Sequence, residues 1–207
     1  MLQTKRYAKF YVGLSFFLTV MATYLSLFTS TQDLTQGVNS VIFFVHVPAA
    51  WMSILLYLTT CINTCFFLVR RHPLFLRFVG TGIELGALFT FLTLITGCLW
   101  GKPTWGTYWV WDARIISILL LFFIYLGALL FLKLSVELAS LFIFLGLLDI
   151  VIIKFSVNWW TTLHQSESIG LFSTSVSFLM LIPLLLHFAN FVLFSFLFFF
   201  LEPSLEG

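Results

Sequence analysis

The sequence predicts an all-α, polytopic membrane protein: a bundle of six transmembrane helices with both chain ends on the inner side. Three observations predict it. Apolar residues make up 61% of the 207-residue chain and charged residues only 9%, whereas a soluble domain carries about 25% charged residues. Ten basic and eight acidic side chains cannot wet a soluble fold of this mass, which excludes a soluble enzyme, a nucleic-acid binder and a disordered chain. Six apolar runs reach the length of about 20 residues that crosses roughly 30 Å of hydrocarbon. Finally, the basic residues are divided unevenly between the two sets of connecting segments, which sets the direction of insertion.

The chain reads as one six-span membrane domain over 1–207, with spans near 10–28, 49–68, 78–100, 115–132, 138–156 and 171–201. The first run follows Lys5, Arg6 and Lys9, the charge order of a signal peptide. It lacks a small-residue cleavage site behind it and is read as a retained anchor. The second apolar run extends from Val41 to Val69, too long for an untilted crossing. Proline is best tolerated in a helix's first turn, so Pro48 is expected to open this helix and leave His46 just above the membrane. In the third and fifth spans Glu84 and Asp149 are charges inside apolar runs. Glu84 can reach the inner interface, while Asp149 is expected to pair with a polar group on a neighbouring helix. The last run is overlong and contains Pro183, which implies tilt, a kink or extension beyond the bilayer. His187 within it is expected to hydrogen-bond inside the bundle.

With the N-terminus inside, the inner segments hold Lys5, Arg6, Lys9, Arg70, Arg71, Arg77 and Lys133, and the outer ones only Lys102, Arg114 and Lys154. Three outer loops follow, near 29–48, 101–114 and 157–170. Cys61, Cys65 and Cys98 form no CxxC pair, so they read as small apolar residues. The absence of C-x-x-C-H means that the chain is not itself a c-type cytochrome.

Chemistry collects on the outer face. Trp100, Trp105, Trp109, Trp111, Trp159 and Trp160 lie in or beside outer loops, and Trp51 in the outer half of the second span. An aromatic belt is one reading, but a belt marks both interfaces and these residues mark one. If the stretch from Trp105 is helical, then Trp105, Tyr108, Trp109 and Asp112 share a face by their three- and four-residue spacing. Such a shelf suits a large, flat, apolar ligand. His46 and His164 lie on the same side and flank it in sequence. A planar iron macrocycle needs two axial nitrogens, an apolar platform and cations for its carboxylates. His46, His164, the tryptophans, and Lys102 or Arg114 match those needs.

At these residues the sequence resembles the cytochrome c maturation protein C (CcmC) family of haem-handling membrane proteins, which carry a tryptophan-rich motif. Three blocks carry the likeness: His46-Val47-Pro48-Ala49-Ala50-Trp51-Met52-Ser53; Trp100-Gly101-Lys102-Pro103 running into the WGxxWxWDxR stretch through Arg114; and Ser156-Val157-Asn158-Trp159-Trp160-Thr161-Thr162-Leu163-His164-Gln165. The resemblance implies six spans and haem b as the transported ligand. It implies His46 and His164 as axial ligands to the haem iron, with Lys102, Trp105, Tyr108, Trp109, Trp111, Asp112, Arg114, Trp159 and Trp160 around the porphyrin. It further implies presentation of haem to a haem chaperone of the CcmE type, assisted by an ATP-driven CcmA/CcmB-type complex and a small CcmD-type subunit. Tyr108 and Asn158 depart from the bacterial pattern. Those departures resemble the mitochondrial branch of plants and algae, which implies the mitochondrial inner membrane, with a bacterial cytoplasmic membrane as the fallback. The expected role is haem binding and delivery without catalysis. The alternatives are a haem lyase acting on apocytochrome c, against which only four histidines count, and a haem exporter subunit.

Overall fold

The computed structural model describes residues 2–30, 37–159, 164 and 176–201. Among them are six long helices: α1 (Leu2–Ser30), α2 (Val41–Arg70), α3 (Pro73–Trp105), α4 (Ala113–Leu132), α5 (Val136–Trp159) and α6 (Phe178–Leu201), with a short 3₁₀ turn, Gly37–Ser40, before α2. All six carry a stretch long and apolar enough to cross a membrane. In hydrocarbon no water satisfies backbone polar groups, so a chain of this composition closes its hydrogen bonds within helices.

The turns are built from local chemistry. Arg71 adopts a left-handed conformation (φ 51°) that ends α2, and its N–H returns to the Phe67 carbonyl. His72 then caps α3, its side chain accepting from the Leu74 N–H, with Pro73 in the first turn, where the missing donor costs nothing. Ser135 Oγ accepts from the Leu138 N–H at the start of α5, 3.1 Å away. These tight connections force neighbouring helices to run antiparallel, so Arg70, Arg71, Arg77 and Lys133 gather at one end. There Arg71 pairs with Glu137 at 2.8 Å, both side chains more than half exposed. The connections 37–40 and 106–112 lie at the other end.

Two helices differ from their expected limits. α2 begins at Val41 and carries Pro48 inside it, so His46 is a helical residue and does not stand in a loop above the helix. The reason is packing. Phe44 is completely buried, and the Phe43 ring meets Trp100 of α3 at 5.7 Å. Burial and ring contact of this kind outweigh the one backbone bond that Pro48 forgoes. α3 likewise continues through Pro103 to Trp105. A helix of 30 residues is about 45 Å long, well beyond the roughly 30 Å of hydrocarbon. About 20 residues counted back from Arg70 reach Ala50 and Trp51, so the first turns of α2 stand at or above the outer boundary and carry His46 there. α6 begins at Phe178; 171–175 lie outside the described residues.

α2 packs most extensively on α3, α4 on α5 and α1 on α6. The centre is a pair of tyrosines. Tyr57 and Tyr125 are buried with ring centroids 5.3 Å apart in a T-shaped contact. Tyr57 Oη donates to the Ile143 carbonyl, and Tyr125 Oη donates to the Ser53 carbonyl at 2.8 Å. Each hydroxyl thus ties two helices through a backbone acceptor. Two glycines leave room for the rings: a Cβ at Gly86 would fall within the Tyr125 ring, and one at Gly146 would fall on the Tyr57 hydroxyl.

α1 is held to α6 by polar contacts, as expected where apolar burial offers little between helices in lipid. Ser15 Oγ donates to Asn190 Oδ1 at 2.7 Å, Asn190 Nδ2 donates to Thr19 Oγ1 at 2.8 Å, and Ser26 Oγ meets His187 Nε2 at 3.3 Å. Asp149 is buried on α5 beside the Ser117 hydroxyl of α4, a polar group on a neighbouring helix of the kind the sequence expected, and that hydroxyl itself donates to the Ala113 carbonyl.

Overpacking a filled core costs about 1–3 kcal/mol. Gly86→Ala and Gly146→Ala are each expected to lose about that much stability, whereas Gly13→Ala, with nothing within 4 Å of the added carbon, should be silent. Thermal unfolding of the detergent-solubilised variants checks this. Equal midpoints for all three would show that the tyrosine pair does not set the core.

Candidate functional site at the outer end of the bundle

Three elements meet at the outer end: the first turns of α2, the last turns of α3 with the segment 106–112, and His164. On α3, Thr93, Thr96, Gly97 and Trp100 follow the i, i+3, i+4, i+7 spacing of one helical face. His46 lies against that face. Its Nδ1 is 3.0 Å from Thr96 Oγ1, and its ring is 5.7 Å from Trp100. A Cβ at Gly97 would stand 3.1 Å from His46 Cε1, so the glycine lets the imidazole seat closely. His46 is only 8% exposed. No sequence argument had placed Thr96 and Gly97 here. Their signal was the stripe of small and hydroxyl residues in an otherwise apolar helix.

The tryptophan-rich segment is not the helical shelf that its spacing suggested. α3 ends at Trp105 because Gly106 turns left-handed (φ 78°), its N–H returning to the Lys102 carbonyl. A residue with a side chain enters that region reluctantly, so Gly106 ends the helix and breaks the common face. Lys102 Nζ then donates to the Gly106 carbonyl at 3.0 Å and lies 5.3 Å from the centre of the Tyr108 ring. Lys102 therefore buttresses the turn. Thr107 Oγ1 bridges to the Trp109 backbone, accepting from its N–H and donating to its carbonyl. Trp109 and Trp111 meet edge to face at 5.8 Å. Trp111 is 78% exposed and Tyr108 is also exposed, so these rings face outward at the rim. The Trp109 indole N–H is buried and has no acceptor among the described residues.

Asp112 is the N-cap of α4: its Oδ1 accepts from the Arg114 N–H at 2.9 Å, and the residue is buried. Of the two roles its position allowed, ligand orientation or capping, the geometry displays capping. Arg114 leaves the first turn of α4 toward His164, with Nη1 3.5 Å from His164 Nδ1. The Trp105 ring lies 6.5 Å from the His164 ring. His164 and Arg114 are both within electrostatic range of His46. Two histidines far apart in sequence thus lie within electrostatic range of each other, His46 beside Trp100 and His164 beside Trp105 and Arg114. Trp159 ends α5 with its side chain outside the described residues, and Trp160 lies outside them altogether.

A family model described as heme exporter protein C matches residues 1–205. The chain is 59% identical over 205 residues to a cytochrome c biosynthesis ccmC-like mitochondrial protein of Arabidopsis thaliana, covering 99% of this chain and 80% of that one. It is 55% identical over 197 residues to a protein of the same description from Marchantia polymorpha, covering 95% and 86%. The heme exporter protein C of Bradyrhizobium diazoefficiens is 44% identical over 163 residues, 74% of this chain and 61% of its own.

The two roles of Asp112 predict different mutational patterns. Loss of an N-cap costs about 1 kcal/mol, and asparagine caps as well as aspartate does. Asp112→Ala should therefore lower the unfolding midpoint while Asp112→Asn retains it. Equal loss in both would indicate that the negative charge matters for more than the cap.

Proposed function

We propose, from the premise that this chain belongs to the CcmC (heme exporter protein C) family, that it binds haem b at the outer end of its bundle and presents it to a haem chaperone. It is a multi-pass mitochondrial membrane protein of cytochrome c biogenesis, as its plant relatives are described, and the inner membrane is the proposed site. The outer end then faces the intermembrane space, which accords with the basic residues gathered at the opposite end. The observation that carries the reading is the convergence of His46 and His164 beside Trp100, Trp105 and Arg114.

The donor set suits this cargo. Two imidazoles are too few for a bare metal ion, but they complete an iron whose other four positions are filled by macrocycle nitrogens. His46 is fixed by Thr96 and Gly97 from behind. Trp105, Trp109 and Trp111 supply apolar surface, and an aromatic body presents large area with few torsions to freeze. The carboxylates of a porphyrin need donors. Arg114 acts electrostatically on His46 and contacts His164, and the buried Trp109 N–H is a donor with no acceptor among the described residues. Lys102, committed to the Gly106 carbonyl, is the weaker candidate for that role. Trp159, the last residue of α5, and Trp160 after it lead in sequence toward His164 and are proposed as further platform.

Delivery, not turnover, is the proposed role: these residues would bind and orient the cargo, and the family description as an exporter supports that reading. Tyr108 and Trp111 are exposed there, where a CcmE-type chaperone would approach. A CcmA/CcmB-type ATP-driven complex and a CcmD-type subunit are the proposed assistants. A haem lyase is the second reading, favoured by the same open rim. Incubation with apocytochrome and haem separates the two, because only a lyase leaves covalently attached haem.

The absorption spectrum of detergent-purified protein tests the site. Wild type should carry low-spin haem, and His46→Ala and His164→Ala should each lose the low-spin band. An identical spectrum in both variants would overturn the ligand assignment, and a wild type that takes up no haem would overturn the function. Trp105→Ala combined with Trp109→Ala should reduce haem retention and chaperone loading, measured as haem per protein. Unchanged values would remove the platform role.

A further inference from the structure

The two histidines face different hydrogen-bond partners, and those partners bear on which ring nitrogen carries the proton. Thr96 Oγ1 lies 2.7 Å from the Leu92 carbonyl, an acceptor only, and so spends its single hydrogen there. Its remaining capacity is to accept, and it faces His46 Nδ1 at 3.0 Å. His46 therefore carries its proton on Nδ1, and the Thr93 backbone carbonyl, also an acceptor only, faces the same imidazole. A neutral imidazole with Nδ1–H keeps a lone pair on Nε2. That is the usual arrangement of a metal-binding histidine, whose other nitrogen donates to an outer acceptor.

His164 has the opposite partner. Guanidinium groups donate and cannot accept, so the 3.5 Å contact between Arg114 Nη1 and His164 Nδ1 is a hydrogen bond only when Nδ1 offers its lone pair. The neutral ring then carries its proton on Nε2, and Nε2 has no lone pair for iron.

We infer that the two axial positions are unequal: His46 is preset as a ligand, whereas Arg114 holds His164 in the wrong tautomer until an acid group of the porphyrin draws the guanidinium away. This rests on the haem reading and deepens it, since it couples the grip on a propionate to ligation of iron. A bidentate arginine–carboxylate pair is stronger than a long contact to a neutral imidazole, so the cargo itself supplies the driving force. Once Arg114 turns to the carboxylate, water delivers a proton to Nδ1 and takes one from Nε2. The ring stays neutral, and Nε2 becomes a ligand. The reverse sequence describes release: a partner that takes hold of the propionate returns Arg114 to His164, and the iron keeps only His46. Arg114 is thus a positioning residue, acting through His164.

The direct test reads the tautomers in protein free of porphyrin. Full-length protein labelled with ¹⁵N-histidine is studied in detergent by NMR, with the four histidines assigned by single substitution. His46 should show Nδ1–H and His164 should show Nε2–H. Arg114→Ala should move His164 to mixed tautomers and leave His46 unchanged. Nδ1–H at His164 in the wild type, or no response to Arg114→Ala, overturns the inference. A second arm titrates wild type with ferric protoporphyrin and with its dimethyl ester, which lacks the acids. The free acid should give a six-coordinate, low-spin spectrum and the ester a high-spin one, with Arg114→Ala restoring low-spin binding of the ester. Low-spin binding of both porphyrins by wild type overturns the coupling. Failure to bind either overturns the haem reading itself and the coupling with it, while the tautomer arm separately decides the hydrogen-bond assignment.

Discussion

Hydrocarbon leaves a backbone no solvent to bond with, and every other feature of this molecule is arranged around that constraint. Each crossing must be helical from end to end, so irregular backbone is confined to the two ends of the bundle. At the inner end the connections are two or three residues long and closed by caps at Arg71, His72 and Ser135. At the outer end α2 and α3 run past the bilayer. Chemistry is possible only where backbone and polar side chains can leave helical register, and that is where the histidines and tryptophans are found.

The interior bears on the outer end through packing. With lipid as apolar as leucine, helix association depends on close approach and on buried hydrogen bonds. Tyr57 and Tyr125 supply both, each docking in space left by a glycine and each bonding a carbonyl of another helix. The same device recurs at the site, where Gly97 admits the His46 ring against α3. The α2–α3 pair is the most extensive helix contact among the described residues, and His46 and Trp100 stand on its two sides. Arg114 stands on α4, anchored at its first turn by Asp112. A ligand held between that helix pair and a movable guanidinium is one that can be both retained and given up.

Hydrogen-bond direction gives the site its asymmetry. Thr96 can only accept from His46 once its hydrogen is spent on Leu92, and Arg114 can only donate to His164. On the inferred tautomers, the two proposed ligands occupy different chemical states before any cargo arrives. Under the proposed function, a carrier that surrenders its cargo needs one weak point, and the inferred contact of Arg114 would place it at His164.

Composition and patterning alone determined that this is a six-span helical membrane protein. Apolar runs long enough to cross can be counted residue by residue, and a low charge content leaves no soluble alternative. The family and the chemically important end were legible as well, because His46, the stretch from Trp105 to Arg114, and His164 are local motifs. Helix limits were not. Pro48 reads as a helix start when only its missing N–H is considered, and the burial of Phe44 against α3 decided otherwise. Spacing from Trp105 to Asp112 suggested one face, but Gly106 turned the chain, and nothing local distinguishes a glycine within a helix from one that ends it. Asp149 stands beside Ser117 of α4, a neighbour the sequence could not name, since only packing decides which groups meet at a given depth. The pairing of His46 with Thr96, and of His164 with Arg114, likewise waited on the tertiary structure, because hydrogen-bond partners far apart in sequence are chosen by the three-dimensional register of the helices that carry them.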